Sequence, residues 1–221
     1  MNKQGFFITG TDTGVGKTWA TVAMMKRLIR QGRRVAGMKP VAAGCEWLQG
    51  QWKNEDALLI QRHASVDLPY HQVNPYAYRL PVSPHLASNG AEIDIVLLHK
   101  VFTDMKQKAD IVLVEGAGGW LSPLSHELDN AGLAKQLGLP VILVVAVRLG
   151  CINHGLLSWR AIQASGLDCV GWIAMCIDAE MAFADENIDF LRQRIEAPLL
   201  GVLPHDEQAD FEQLSYSLQG F

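Results

Sequence analysis

The sequence contains no uninterrupted apolar stretch of the length a bilayer demands, which argues against a membrane-spanning protein. Its first residues, Met1-Asn2-Lys3-Gln4-Gly5, enter a strand-like segment at once and leave no room for the apolar core of an export signal. Cysteine is scarce: Cys45, Cys151, Cys169 and Cys176 form no C-x-x-C pair and no zinc-like spacing with histidine. A structural zinc site and a disulfide framework are therefore not expected, and reduced thiols in a cytoplasmic protein are. No run of Lys and Arg is interleaved with aromatics, and the net charge is −4, so no nucleic-acid partner is expected. Internal repeats and low-complexity tracts are absent. With 49% hydrophobic and 19% charged residues, the 221-residue chain is too apolar for disorder and long enough to bury a substantial core.

What is present is an alternation of short apolar runs with stretches of helical spacing. Strands are expected at Gly5–Thr9, Val35–Lys39, Ile111–Glu115, Val141–Val147, Val170–Ile177 and Leu199–Leu203. Helices are expected at Lys17–Gln31, Glu55–His63, Ile93–Lys108, Ala131–Leu137, His154–Ser165 and Ala182–Arg194, and Gly32, Gly138 and Gly166 closely follow three of them. This pattern implies an α/β fold: one doubly wound domain over residues 1–221, with a mainly parallel sheet and helices on both faces. The stretch from Leu68 to Asn89 breaks the rhythm with Pro69, Pro75, Pro81 and Pro84, which exclude a long regular element. A connection of that length in a compact domain is often functional.

The most informative segment is Ile8 to Thr18, I-T-G-T-D-T-G-V-G-K-T, an apolar strand leading into a glycine-rich turn. In a phosphate-binding loop of this kind, successive backbone N–H groups cradle a polyphosphate, the lysine reaches the outer phosphates and the hydroxyl ligates Mg²⁺. Thr13, Gly14, Val15, Gly16, Lys17 and Thr18 are the candidate cradle, at the start of a helix whose dipole favours an anion. The spacing is a variant one: position 11 is Thr, and the first glycine is Gly10. A P-loop NTPase-like fold follows.

Ligands of doubly wound sheets gather beyond the carboxyl ends of the strands. Glu115 ends the run Ile-Val-Leu-Val there and suits a Mg²⁺ ion; Gly116, Ala117 and Gly118 after it let backbone approach a ligand closely. Lys39 ends another strand before Pro40 and is placed to offset charge on a moving phosphoryl group. Taken singly, each reads equally well as a surface lysine or a solvated glutamate.

The segments G-T-D-T-G-V-G-K-T, M-K-P-V-A-A-G, N-E-D-A-L-L-I-Q, N-P-Y, S-P-H, V-E-G-A-G-G-W, P-V-I-L-V-V and L-G-C-I-N-H occur in the order seen in the dethiobiotin synthetase family, which the chain resembles over about residues 5–204. The resemblance implies closure of a ureido ring on 7,8-diaminononanoate with CO₂, ATP and Mg²⁺, by way of a carbamate and its mixed anhydride with phosphate. It implies Lys39 and Lys17 as catalytic cations, and Thr18, Asp56 and Glu115 as Mg²⁺ ligands. It places Met175, Cys176, Pro204 and His205 around the base. It gives Ala43 and the segment Gly150, Cys151, Ile152 and Asn153 to the diamine substrate, the segment acting across a homodimer interface. Asp56 is not visible from spacing alone; by itself it is an acid in a first helical turn. Asn153 alone reads as a helix N-cap, and Cys151 as a packed thiol.

Three positions depart from the family pattern. Ala43 stands where relatives usually carry a hydroxyl, Met175 where many carry an Asn that reads the adenine edge, and Asn187 near where some present a Tyr. Met175 can pack on a base but cannot make paired hydrogen bonds, so relaxed choice among nucleoside triphosphates is expected. Competing readings are a cobyrinic acid diamide synthase-like ligase, whose glutaminase module is not found here, a partitioning-type switch ATPase, whose loop carries a lysine where this chain has Asp12, and a folded paralogue of weak activity. Trp47, Trp52, Trp120, Trp159 and Trp172 are expected in packing roles.

Overall fold

The computed structural model describes residues 5–206 and 208–220. Strand β1 (Gly5–Gly10) is followed by α1 (Lys17–Arg30), β2 (Val35–Met38), β3 (Val41–Ala42), the hairpin β4 (Glu46–Leu48) and β5 (Gln51–Lys53), and α2 (Glu55–His63). The proline-rich stretch holds only short pieces, α3 (Tyr70–Val73), β6 (Tyr76–Ala77) and α4 (Pro84–Ala87). The chain then alternates again: α5 (Ile95–Lys108), β7 (Ile111–Gly119), α6 (Asn130–Leu137), β8 (Val141–Val147), α7 (Cys151–Ala164), β9 (Cys169–Cys176), α8 (Ala184–Arg192), β10 (Leu199–Leu203) and α9 (Phe211–Tyr216).

Six strands form the central sheet in the order β10-β9-β8-β1-β7-β2, all parallel. β8 is buried at every position, as a strand covered on both faces must be. β1 lies between β7 and β8, and the chain leaves it toward one side for β2 and reaches β8 on the other. That reversal is the topological switch point, where ligands bind outside the carboxyl edge.

The register of β2 against β7 explains how two distant residues meet. Met38 pairs with Val114, so the next residues, Lys39 and Glu115, emerge side by side at that edge. Helix starts are secured locally: Asn54 caps α2, Asp94 caps α5, Asp129 caps α6 and Asp210 caps α9, each accepting from backbone N–H groups of the first turn. Helices α1 and α7 instead begin at left-handed glycines, Gly16 and Gly150, with no side-chain cap.

Several expected boundaries shift. β7 runs on through Glu115 to Gly119, and β2 stops one residue before Lys39. α7 begins at Cys151 rather than His154, because Gly150 at φ 94° starts the turn that Asn153 was expected to cap. α8 is shorter than expected at both ends, and α9 lies beyond the last expected element. The β4–β5 hairpin was not foreseen. Its turn residues Gln49 and Gly50 both have positive φ, 54° and 80°, the geometry that favours a two-residue connection. Trp120, Trp159 and Trp172 are packed inside, whereas Trp47 is exposed and stands edge to face with Trp52, ring centroids 5.2 Å apart. No helix among the described residues is long and apolar enough to cross a membrane.

Candidate active site

The glycine-rich turn joins β1 to α1 at the switch point. Gly14 and Gly16 have φ of 70° and 82°, so the loop turns through conformations that only glycine adopts cheaply. Gly10 is required for a different reason: a Cβ there would lie 2.5 Å from Cγ2 of Val15, whose side chain is tucked wholly inside. The displaced first glycine of this loop is thus the space that Val15 fills. Asp12 fastens the outside of the turn, accepting from the Thr13 N–H (2.7 Å) and from Arg148 at the end of β8 (3.2 Å). The Lys17 ammonium donates back to the Asp12 carbonyl at 2.7 Å.

Beside the loop lies a buried charge cluster. The Lys39 ammonium donates to Glu115 at 2.7 Å and to Asp56 at 2.6 Å. The Thr18 hydroxyl donates to the same Glu115 oxygen at 2.9 Å, and the Thr21 hydroxyl lies 2.8 Å from the other. Glu115 is 0% exposed, which rules out a solvated strand-end glutamate. Burial by itself would push the Lys39 ammonium down, but the Glu115 and Asp56 carboxylates outweigh it and hold the group above its ordinary range. Burial likewise opposes the charged form of Asp56, and the charge of Lys39 overcomes it, so that the carboxyl sits below its usual value. Lys17 lacks such close partners. Burial, reinforced by the charge of Lys39, lowers it to about 8 despite the neighbouring carboxylates.

These groups line a cavity of about 650 Å³. Thr13, Gly14, Gly16, Lys17, Thr18, Lys39, Ala43, Asp56, Glu115, Ala117 and Gly118 all face it. Val15 does not, being turned into the core, and Gly116 is packed against Asn130. A second cavity of about 230 Å³ shares Gly14 and Gly16 with the first and is lined by Met175, Cys176, Pro204 and His205. Met175 is fixed there by the loop: a Cβ on Gly16 would come within 2.7 Å of it. Gly150, Cys151, Ile152 and Asn153 line neither cavity. They form the cap and first turn of α7, with Cys151 buried against Asn187.

Several contributors escaped the sequence reading. Trp19, Pro81, Val82, Ser83 and Ser122 line the larger cavity, as does Asn54. Asn54 and Thr21 had legible signals, an N-cap residue ahead of two acids and a hydroxyl one turn beyond Thr18. Ser122 had none; it reaches the site by accepting from the Gly119 N–H at 2.8 Å.

Thr18, Asp56 and Glu115 offer hard oxygen donors, the set that Mg²⁺ prefers, and the ion commonly takes one or two carboxylates together with substrate phosphates. The residues therefore fit the ion. Among the described residues no group of three or more His, Cys, Asp or Glu gathers as a metal site by itself.

Residues 4–213 match the family described as an AAA domain. The chain is 49% identical to the ATP-dependent dethiobiotin synthetase BioD of Aromatoleum aromaticum, over 98% of this chain and 97% of that one. It is 45% identical to the enzyme of the same name from Xanthomonas euvesicatoria pv. vesicatoria, over 99% of each. Among solved structures, the MinD cell division protein of Aquifex aeolicus superposes with a TM-score of 0.60 at 17% identity, covering 96% of this chain and 87% of its own. A ParA family ATPase from Chlorobium tepidum does so with a TM-score of 0.59 at 12% identity, covering 98% and 90%. The structural neighbours share the fold; the sequence relatives, matched end to end, place this chain in the ATP-dependent dethiobiotin synthetase family.

Proposed function

We propose that this protein makes dethiobiotin from 7,8-diaminononanoate, CO₂ and ATP, as a cytoplasmic homodimer of single-domain subunits. The observation that carries the reading is the Lys39 ammonium, buried at the cavity wall between Asp56 and Glu115 and beside the phosphate loop. One amine of the substrate adds to CO₂ and loses a proton, giving a carbamate. A carbamate oxygen then attacks the γ-phosphorus, and ADP leaves. The second amine attacks the carbonyl carbon of the mixed anhydride; it loses its proton as inorganic phosphate departs and the cyclic urea closes.

The phosphoryl transfer brings two anions together, carbamate and triphosphate, and this chain answers with fixed cations and main-chain dipoles. Thr13–Thr18 cradle the phosphates, Lys17 follows the outer ones, and Lys39 steadies charge shared between carbamate and γ-phosphate. Thr18, Asp56 and Glu115, with the nucleotide, would hold Mg²⁺, which when bound would supply positive charge against the phosphate oxygens. Ala117 and Gly118 keep this wall of the cavity close to the ligand, and Gly116 behind them packs on Asn130. Holding the carbamate in line with the phosphorus is largely a matter of proximity. Ala43 lies against the diamine, whose distal carboxylate is taken by Gly150–Asn153 across the dimer. The base lodges against Met175, Cys176, Pro204 and His205.

The test is a ring-closure assay with carbamate trapping on wild type and Lys39→Gln, which removes the charge but keeps a donor toward Glu115. A loss of about 10²–10³-fold in turnover, with the fold retained, is expected from removing one such electrostatic contact. Unchanged turnover refutes the role of Lys39. ATP consumption that ignores both diamine and bicarbonate would favour a switch ATPase instead.

A further inference from the structure

The proline-rich stretch contributes more than cavity wall. Asn74, Tyr70 and Asn54 are all buried and form one hydrogen-bonded chain beneath the charge cluster. The Asn74 amide donates to the carbonyl of Lys39 at 2.7 Å, and its oxygen accepts from the Tyr70 hydroxyl at 2.9 Å. That hydroxyl in turn accepts from the Asn54 N–H at 2.7 Å. The Asn54 side chain caps α2 through the Ala57 N–H at 3.2 Å, and Asp56 stands in that first turn. Lys39 is also held by its own N–H, which donates to Val73 at 2.7 Å.

This chain runs between the two elements whose side chains must meet. Lys39 leaves the end of β2 and Asp56 rides on the first turn of α2; farther along, Ile60 of α2 packs directly on Gly37, and at their ends the hydrogen-bonded chain joins the two elements. The Tyr70 hydroxyl is the link common to both sides. Burial raises this phenol to about 12, so it keeps the proton it gives to Asn74 throughout the working pH range. The ring is buried, so losing the oxygen alone would leave the packing in place and orphan two buried polar groups.

We infer that Tyr70 and Asn74 are positioning residues that set the Lys39 ammonium against Asp56, and that they govern turnover although neither lines the cavity. The inference rests on the synthetase reading of the site. Displacements of the order of 1 Å in a catalytic group cost about 10²-fold in rate, and the network ties the Lys39 backbone to the start of the helix that carries Asp56.

The test compares kcat and KM for ATP in wild type, Tyr70→Phe, Asn74→Ala and Leu191→Ala. Leu191→Ala removes a buried side chain of α8, remote from the network, and lowers stability without touching it. Tyr70→Phe and Asn74→Ala are expected to lose at least tenfold in kcat with KM for ATP within about twofold of wild type. Leu191→Ala should keep its kcat at a temperature where all four proteins are folded. Tyr70→Phe should cost nothing further in a Lys39→Gln background, because its effect passes through that ammonium. Wild-type kcat in both network variants, an equal loss in Leu191→Ala, or full additivity with Lys39→Gln each overturns the inference. If Tyr70→Phe fails to fold, Asn74→Ala decides by the same criteria. A wild-type protein with no ring-closing activity refutes the proposed function itself, which keeps the two failures apart.

Discussion

Between about pH 7 and pH 9 Lys17 passes from mostly charged to mostly neutral, because burial beside Lys39 lowers it to about 8. A nucleoside triphosphate set against the loop adds negative charge next to the ammonium and raises its pKa by about 1–3 units. Binding therefore takes up protons. With a rise of about 2 units, uptake is roughly 0.5 proton at pH 8, about 0.8 at pH 9 and nearly none at pH 6.5. The association constant should accordingly fall about tenfold from pH 7 to pH 9. The terminal phosphate ionises near pH 6 and contributes little in that range. The same shift acts on stability with a definite sign. The unfolded chain binds more protons at Lys17 between about 8 and its ordinary 10.5, so this residue's penalty is full below 8 and is relieved as pH rises through that window. Calorimetric titration with a non-hydrolysable ATP analogue, in two buffers of different ionisation enthalpy, measures the uptake directly. Lys17→Arg, charged at every accessible pH, should bind with no uptake. Uptake below about 0.2 proton at pH 8 to 9, or uptake undiminished in Lys17→Arg, refutes the reasoning.

Other perturbations bear on neighbouring parts of the site. Met175→Asn should sharpen selection of ATP over CTP and GTP, read as a change in kcat/KM ratios, whereas a wild type already strict for ATP would show that Met175 does not relax base choice. Gly16→Ala should abolish nucleotide binding, since the residue has φ 82° and its new methyl would meet Met175 at 2.7 Å; a thermal-shift titration with Mg-ATP checks it. Thr21→Val should lower stability by about 1–3 kcal/mol by leaving one oxygen of the buried Glu115 without its donor, measured by urea denaturation. Ala43→Ser should tighten the diamine by up to about tenfold, the worth of one hydrogen bond of about 0.5–1.5 kcal/mol, seen as a lower KM.

The sheet was legible because its strands are short apolar runs with polar helices between them, and all six expected strands lie in it. Phosphate loop, Lys39 and Glu115 were legible for a related reason: at a carboxyl edge a charged or glycine residue interrupts an otherwise apolar run. Asp56 was not, since an acid in a first helical turn is favoured by the dipole whatever its function. Only the pairing of Met38 with Val114, a property of the assembled sheet, brings Lys39 to Glu115 and leaves Asp56 on its other side. The start of α7 was misplaced because Gly150 was read as loop and Asn153 as a cap. The β4–β5 hairpin was missed because three-residue strands leave too little alternation to detect.

That hairpin gives the enzyme a natural optical gauge. Its second strand ends at Lys53, immediately before the asparagine that caps the Asp56 helix, and its two indoles stand edge to face with one of them in solvent. A shift of that helix start on loading with nucleotide would be transmitted to an indole a few residues away, so emission from a Trp19→Phe protein, freed of the indole that lines the cavity itself, offers a way to time the event.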